Sequence, residues 1–324
     1  MKFRLSILIL TSLISFSSLQ AQQQEKSVAT YTNYLLYVPQ DKPSNGLYPL
    51  MLFLHGSGER GTDLNLVKKN GPPSFLDKKN DFPFVVVSPQ CPNNRGWDTQ
   101  SLLSLLDHIE STLPIDKNKV YVTGLSMGGF GAWELAQAAP ERFAAIAPIC
   151  GGGNLDRICL MRDVPVWAFH GAKDPVVPYK ESERLVKRLQ ELKADVKFTL
   201  YPDAEHDSWS ATYQNPELYK WLLSKSKNQD SPALNKDTSL SYVGRYKYSK
   251  KENMEVTYDG KNLYVESSIA KQKVIMQPVT QTKFKLSGPF SGFGVMNFNI
   301  TQKGKITGFT FGQCENKYCA RIKK

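Results

Sequence analysis

The stretch Val120-Tyr-Val-Thr-Gly-Leu-Ser-Met-Gly-Gly129 decides the fold. An apolar run ends in Gly-x-Ser-x-Gly and passes into Phe130 to Ala139, a segment of good helix formers. That order reads as strand, sharp turn, helix, with Ser126 on the turn. A serine there stands clear of the sheet, and Gly124, Gly128 and Gly129 let the flanking backbones approach closely. Glycine and serine are also ordinary turn residues, so the pattern alone is weak and the rest of the chain must support it.

Outward from this turn, apolar runs and helical stretches alternate. Strands are expected at Tyr34 to Val38, Tyr48 to Leu54, Phe84 to Ser88, Lys119 to Thr123, Phe143 to Ile149, Val164 to Phe169 and Val196 to Tyr201. Several are continuously apolar, as strands covered on both faces must be. Helices are expected at Gln100 to Thr112, Met127 to Ala139, Lys180 to Leu192 and Glu217 to Ser224. The fold class is therefore α/β, a mostly parallel sheet with helices on both faces. The character changes after residues 227–238, which are polar, contain Pro232 and read as a linker. Residues 239–324 show short alternating runs. Asp259-Gly260 and Lys303-Gly304 mark hairpins, so a small antiparallel β domain is expected there.

At the N-terminus, Lys2 and Arg4 precede the apolar stretch Leu5 to Ile14, and Leu19-Gln20-Ala21 offers a small residue for cleavage. Residues 1–21 read as a secretory signal peptide and 22–226 as the catalytic domain; the destination is secreted or periplasmic. No other run is long enough for an integral membrane span. The formal net charge of +11 is spread along the chain without a basic block. It reads as a lysine-rich solvated surface, although such a surface also attracts anionic polymers such as acidic glycans. There is no zinc-finger spacing, basic helix or RNP-like segment, which argues against nucleic acid. Export permits disulfides. Of five cysteines, Cys150 with Cys159 and Cys314 with Cys319 are the natural pairs by proximity, leaving Cys91. Their spacing matches no zinc site.

If Ser126 is a nucleophile, an acid and then a histidine should follow it in the chain. The chain has four histidines. His55 precedes Ser126 and opens His-Gly-Ser-Gly at a strand end, where an oxyanion loop belongs. His108 lies inside a helix. His170 ends a strand and braces the turn that follows. His206 alone has the required order and place. Asp174, in a loop just past a strand, is the expected acid, with Asp203 as its rival; Asp156 and Asp163 read as loop carboxylates. Serine is a poor nucleophile until a base takes its proton, and the acid fixes the tautomer of that base. Backbone N–H groups of Met127 and Ser57 are the expected oxyanion donors, with Gly58 as an alternative to Ser57. Trp97 and Trp209 are candidate substrate-lining residues, each equally readable as packing. Glu59 and Arg60 are read as shaping the oxyanion loop through an ion pair.

His55-Gly-Ser-Gly-Glu-Arg-Gly61, Ser88-Pro-Gln-Cys-Pro92, Val120 to Gly129 and His170-Gly-Ala-Lys-Asp-Pro-Val-Val-Pro178 resemble the α/β-hydrolase esterases related to dienelactone hydrolases. That group includes feruloyl esterases, polyhydroxybutyrate depolymerases and secreted proteins labelled phospholipase or predicted peptidase. The resemblance spans about Thr30 to Ser224. It implies an α/β-hydrolase fold and serine-hydrolase chemistry with no metal and no organic cofactor. Dienelactone hydrolases proper use a cysteine nucleophile, from which Ser126 departs. The C-terminal β domain resembles small domains appended to some secreted hydrolases, which implies no activity. The leading expectation is a carboxylic-ester hydrolase acting on short-acyl or feruloyl esters of polysaccharide. The alternatives are a prolyl-oligopeptidase-type peptidase, a lipase or phospholipase, and a non-enzymatic binding protein.

Overall fold

The computed structural model describes residues 23–28, 32–79, 81–227, 234–269, 271, 273–278, 282–286, 295–301, 304–311 and 317–321. The expected signal peptide and half of the expected linker, residues 228–233, lie outside them.

The first eight strands are β1 (Gln24–Val28), β2 (Thr32–Tyr37), β3 (Tyr48–Leu54), β4 (Val85–Pro89), β5 (Ile115–Leu125), β6 (Ala145–Ile149), β7 (Val166–Gly171) and β8 (Val196–Tyr201). They form one sheet in the order β1-β2-β4-β3-β5-β6-β7-β8. From β4 to β8 every neighbouring pair is parallel, while β1–β2 and β2–β4 are antiparallel. Parallel neighbours need crossovers, and α1 (Pro73–Leu76), α2 (Thr99–Thr112), α3 (Met127–Ala138) and α4 (Lys180–Glu191) lie between them in the chain. α5 (Trp209–Gln214) and α6 (Pro216–Leu223) follow β8.

The two faces of the sheet bury separate cores. Leu52, Leu54, Val120 and Val122 face α2 to α4, where Leu105, Trp133 and Leu189 meet them. Met51, Phe53, Tyr121 and Ala147 face the opposite side, with Tyr213, Leu218 and Trp221 of α5 and α6. Alternate residues along each strand thus enter different cores, which explains the continuous apolar runs.

α7 (Lys236–Tyr242) comes next, within the expected linker and the start of the expected β domain, because the Asn235 side chain accepts from Thr238 N and caps it. Eight further strands follow: β9 (Gly244–Lys247), β10 (Asn253–Tyr258), β11 (Leu263–Ser267), β12 (Lys273–Pro278), β13 (Lys283–Leu286), β14 (Val295–Ile300), β15 (Ile306–Phe311) and β16 (Lys317–Arg321). Each pairs antiparallel with the next, and β16 returns to β9, closing a barrel. Closure removes the exposed strand edges that a small open sheet would present. The expected hairpins are present. At the first, the Asp259 carboxylate accepts from Lys261 N and Asn262 N, and Gly260 takes φ +99°. The interior is solid: Tyr246, Val256, Val265, Met276, Phe284, Phe298 and Phe309 fill it, and Tyr242 of α7 packs on Phe284 and Phe298 at 5.1 and 4.6 Å between ring centroids.

The cysteine pairing needs correction. Cys150 is a free, buried thiol, so the expected Cys150–Cys159 bond is not made. Cys150 packs in the core on one face of the sheet, while the 3₁₀ segment Leu155–Met161 that carries Cys159 packs Ile158 and Met161 into the core on the other. Proximity in sequence does not survive that change of face. Cys159 is itself disulfide-bonded. Cys91, left over in the expected pairing, is free, and it is buried. The expected Cys314–Cys319 pair falls on residues outside the described side chains. Among the described residues no helix is long and apolar enough to cross a membrane.

Candidate active site

Ser126 sits between the end of β5 and the first residue of α3 with φ 52° and ψ −118°. A non-glycine residue pays for such a backbone in strain, and these conformations concentrate at functional sites. The turn is held because Ser126 N–H donates to Ile149 O at 3.0 Å and to Cys150 Sγ at 3.3 Å. Gly128 is obligatory: a Cβ there would collide with the Leu54 carbonyl oxygen.

Asp174 lies in the loop after β7 and His206 in the loop after β8. These loops touch because Gly171 lets the Glu205 carbonyl oxygen occupy the space of a Cβ. His206 Nδ1–H donates to Asp174 Oδ2 at 2.7 Å, and Ser126 O–H lies 2.9 Å from His206 Nε2, placed to donate to it. Three residues widely separated in sequence thus form one hydrogen-bonded line. Asp174 Oδ1 accepts from Val176 N and Val177 N at 2.8 and 2.9 Å. Burial raises the Asp174 pKa, but the bonds from His206, Val177 and Val176 outweigh it and hold the carboxyl below its ordinary range. Asp203, the rival acid, is far more exposed and pairs with Lys173 at 2.7 Å.

The other histidines are occupied. His55 Nδ1–H donates to Gly56 O at 2.6 Å, and its Nε2 accepts from Cys91 N at 2.9 Å. Burial lowers its pKa to about 4, which keeps it neutral. It braces the His-Gly-Ser-Gly loop from below. His170 Nε2–H donates to Val177 O at 2.9 Å and lies 3.3 Å from Asp174 Oδ2, while its Nδ1 is 2.8 Å from Ser182 Oγ. Burial lowers the His170 pKa as well. The expectation that it braces the acid-bearing turn matches this placement. His108 is half-buried within α2.

Met127 opens α3 and Ser57 opens the 3₁₀ turn Ser57–Glu59, so both N–H groups lack an intrahelical acceptor. Trp97 and Trp209 fare differently. Trp97 donates Nε1–H to His55 O at 3.3 Å and packs its ring edge-on against His55 at 4.7 Å, so it supports the loop from the protein side. Trp209 packs edge-on against His206 at 5.3 Å and donates Nε1–H to Asn70 Oδ1 at 3.3 Å. The expected Glu59–Arg60 ion pair is not formed: buried Glu59 accepts instead from Asn70 Nδ2 at 2.7 Å. Asn70 therefore joins the loop of Ser57 to the loop of His206, a link that no sequence motif announced.

Cys150 was also missed as a neighbour of the site. Its Sγ, an Asp174 oxygen and a His206 nitrogen lie within 4.8 Å of one another, a set that could be considered for a metal. Asp174 and His206 already bind each other, and burial pushes the Cys150 thiol up to about 12, so it stays protonated. A surface hollow lined by Tyr48, Asp116 and Lys119 lies where β3 and β5 begin, at the opposite ends of these strands from Ser126. The line of Ser126, His206 and Asp174 stands instead beyond the carboxyl ends of parallel strands, where ligand sites of such sheets are found.

Parts of the chain are similar to known proteins. Residues 94–236 match the Dienelactone hydrolase family. The bifunctional acetylxylan esterase/xylanase XynS20E of Neocallimastix patriciarum is 29% identical over 198 residues, covering 57% of this chain and 27% of that protein. Feruloyl esterase C of Emericella nidulans is 26% identical over 158 residues, covering 45% of this chain and 56% of that one. The chain thus spans about half or less of the length of these relatives. The crystal structure of a thermostable esterase is 35% identical, superposes with a TM-score of 0.54, and shares 64% of this chain and 63% of its own. The stretch that carries Ser126, Asp174 and His206, residues 94–236, is thus the part of the chain that matches the Dienelactone hydrolase family, and the chain shares the fold of a solved esterase.

Proposed function

We propose that the protein is an exported serine esterase that removes short acyl or hydroxycinnamoyl groups from polysaccharide. The observation that carries the reading is the unbroken line from Ser126 Oγ through His206 to Asp174, at 2.9 and 2.7 Å.

In this reading Ser126 Oγ attacks the ester carbonyl carbon as its proton passes to His206 Nε2. The carbonyl π electrons move onto oxygen, and the oxyanion accepts from Met127 N–H and Ser57 N–H. Each such donor is worth about 3 kcal/mol in the transition state. Collapse of the intermediate expels the alcohol, which takes the proton from His206, and leaves Ser126 acylated. Water then repeats the sequence and releases the acid. Asp174 keeps the Nδ1–H tautomer in place and stabilises the imidazolium without taking its proton. Cys150 stays out of the chemistry because its thiol remains protonated.

Two observations support the choice of ester. The relatives bear the names acetylxylan esterase and feruloyl esterase. The connection between β6 and β7 is short, with a single 3₁₀ segment packed down by Ile158 and Met161. That leaves no large apolar cap for a long acyl chain. A fluorophosphonate probe should label the wild-type protein and not Ser126→Ala. The kcat/KM values for acetyl, butyryl, feruloyl and palmitoyl esters should favour the first three. A palmitoyl preference enhanced by micelles would favour a lipase, and turnover of peptides a peptidase.

A further inference from the structure

The net charge divides unevenly between the two halves of the molecule, contrary to its expected spread along the chain. Residues 1–233 carry 25 Lys and Arg against 24 Asp and Glu, a net of +1. Residues 234–324 carry 16 against 6, a net of +10. In the α/β part, cations meet carboxylates: Lys68 with Asp77, Arg142 with Asp107 and Glu110, Arg184 with Glu181, and Lys225 with Asp195, all at 3.0 Å or less. In the barrel, among the described residues, one cation has such a partner, Arg245 with Glu255 at 3.6 Å.

The topology concentrates these charges. In a closed meander, alternate turns share one end of the barrel, so the β9–β10 and β11–β12 turns lie together. That end carries Lys247, Lys250, Lys251, Lys271 and Lys273, all exposed. Glu252, in the first of these turns, is engaged by the Ser267 hydroxyl. Lys273 lies over the Tyr264 ring at 4.4 Å. Unpaired like charges on a small domain repel one another, and an anionic partner relieves that repulsion. The barrel interior is filled by its own side chains, so a ligand must be met on the outside.

We propose that this end of the barrel binds a polyanionic polysaccharide, a chain bearing carboxylates such as uronic acids, and holds the esterase on it. The partner class rests on the glycan-ester reading of Ser126. A membrane surface fits less well: Ile269, 63% exposed, is the large apolar side chain offered on these two turns. One such side chain contributes about 2 kcal/mol, too little for stable insertion. Nucleic acid would require an extended basic track with aromatics free to stack on bases, and Tyr248, in the first of these turns, is packed against the barrel core.

The test is native electrophoresis of the full chain through gels containing polygalacturonate, with neutral arabinoxylan as control. Retardation is expected with polygalacturonate alone, and it should vanish as added salt approaches about 0.3 M, because exposed charges are screened. Combined Lys247→Gln, Lys250→Gln, Lys251→Gln, Lys271→Gln and Lys273→Gln should weaken retention roughly tenfold while kcat/KM on a small soluble ester is unchanged. Equal retention on the neutral polymer, salt-independent retention, or wild-type-like retention of the folded variant would overturn the proposal. So would stronger binding to DNA or to phosphatidylserine vesicles at equal salt. If the variant does not fold, the salt and polymer comparisons on the wild type decide alone. Ser126→Ala should bind like wild type, so failure of the esterase reading is visible separately as absent turnover.

Discussion

His170 Nε2 lies 3.3 Å from Asp174 Oδ2, the same oxygen that accepts from His206 at 2.7 Å. Two imidazoles therefore flank one carboxylate oxygen, and only one of them reaches Ser126. His170 is fully buried and touches Val177 and Ser182, so it holds the loop on which Asp174 is mounted. His170→Ala should lower kcat about tenfold, because the hydrogen bond from Nε2–H to Val177 O that anchors the Asp174 loop is lost and its buried partner is left unpaired, with KM nearly unchanged. His170→Gln, which retains an N–H donor, should recover part of it. A rise in KM equal to the fall in kcat would instead place His170 in substrate binding.

Ser126→Ala and His206→Ala should each reduce kcat by about 10⁴-fold or more, and the double variant should be scarcely worse, because such residues act as a unit. Asp174→Asn should cost less than either. Asp203→Asn should leave turnover unaltered, since Asp203 is solvated and bonded to Lys173. Steady-state kinetics on one soluble ester measures all five proteins, and a large loss in Asp203→Asn would identify it as the acid.

Asn70 receives Trp209 Nε1–H and donates to Glu59, tying the His206 loop to the Ser57 loop. Asn70→Ala frees both. A drop of roughly tenfold in kcat is expected, since one hydrogen bond is worth about 1 kcal/mol and its unpaired partner costs more. Trp209→Phe keeps the ring against His206 and loses the N–H, so it should resemble Asn70→Ala. The double variant should then be less than additive in a mutant cycle.

Stability should fall on acidification below the unfolded-histidine range. His55 is neutral in the fold, with its pKa lowered from 6.5 to about 4 by burial. The unfolded chain therefore binds the proton first. The stabilisation is complete above 6.5 and is lost as pH falls from 6.5 toward 4, by roughly 3 kcal/mol at most. Tm measured against pH should decline over this window, and less steeply in His55→Gln.

The barrel core shares no residue with either core of the α/β part. The chain through Lys227 keeps the Tyr121 O–H bond to Lys225 O and the Lys227 N–H bond to Asn118 O. Truncation after Lys227 should therefore leave a folded protein with wild-type kcat/KM on a small ester. Loss of activity in a soluble, folded truncation would show that the barrel completes the site.

The sequence by itself determined the elements and the order of the chemistry. Continuous apolar runs require strands covered on both faces, and Gly124, Gly128 and Gly129 around Ser126 admit one kind of turn. With four histidines in the chain, order and place together left His206 as the proposed base. What only the tertiary structure decided depends on which face or loop a side chain reaches. Cys150 and Cys159 are nine residues apart but pack on opposite faces of the sheet, so proximity misled. Glu59 passes over adjacent Arg60 for Asn70, because the 3₁₀ turn buries its carboxylate next to that amide. Trp97 and Trp209 look alike in sequence, yet one supports His55 from within and the other covers His206. Closure of the barrel brings alternate turns to one end, and that gathers lysines which the linear sequence keeps apart.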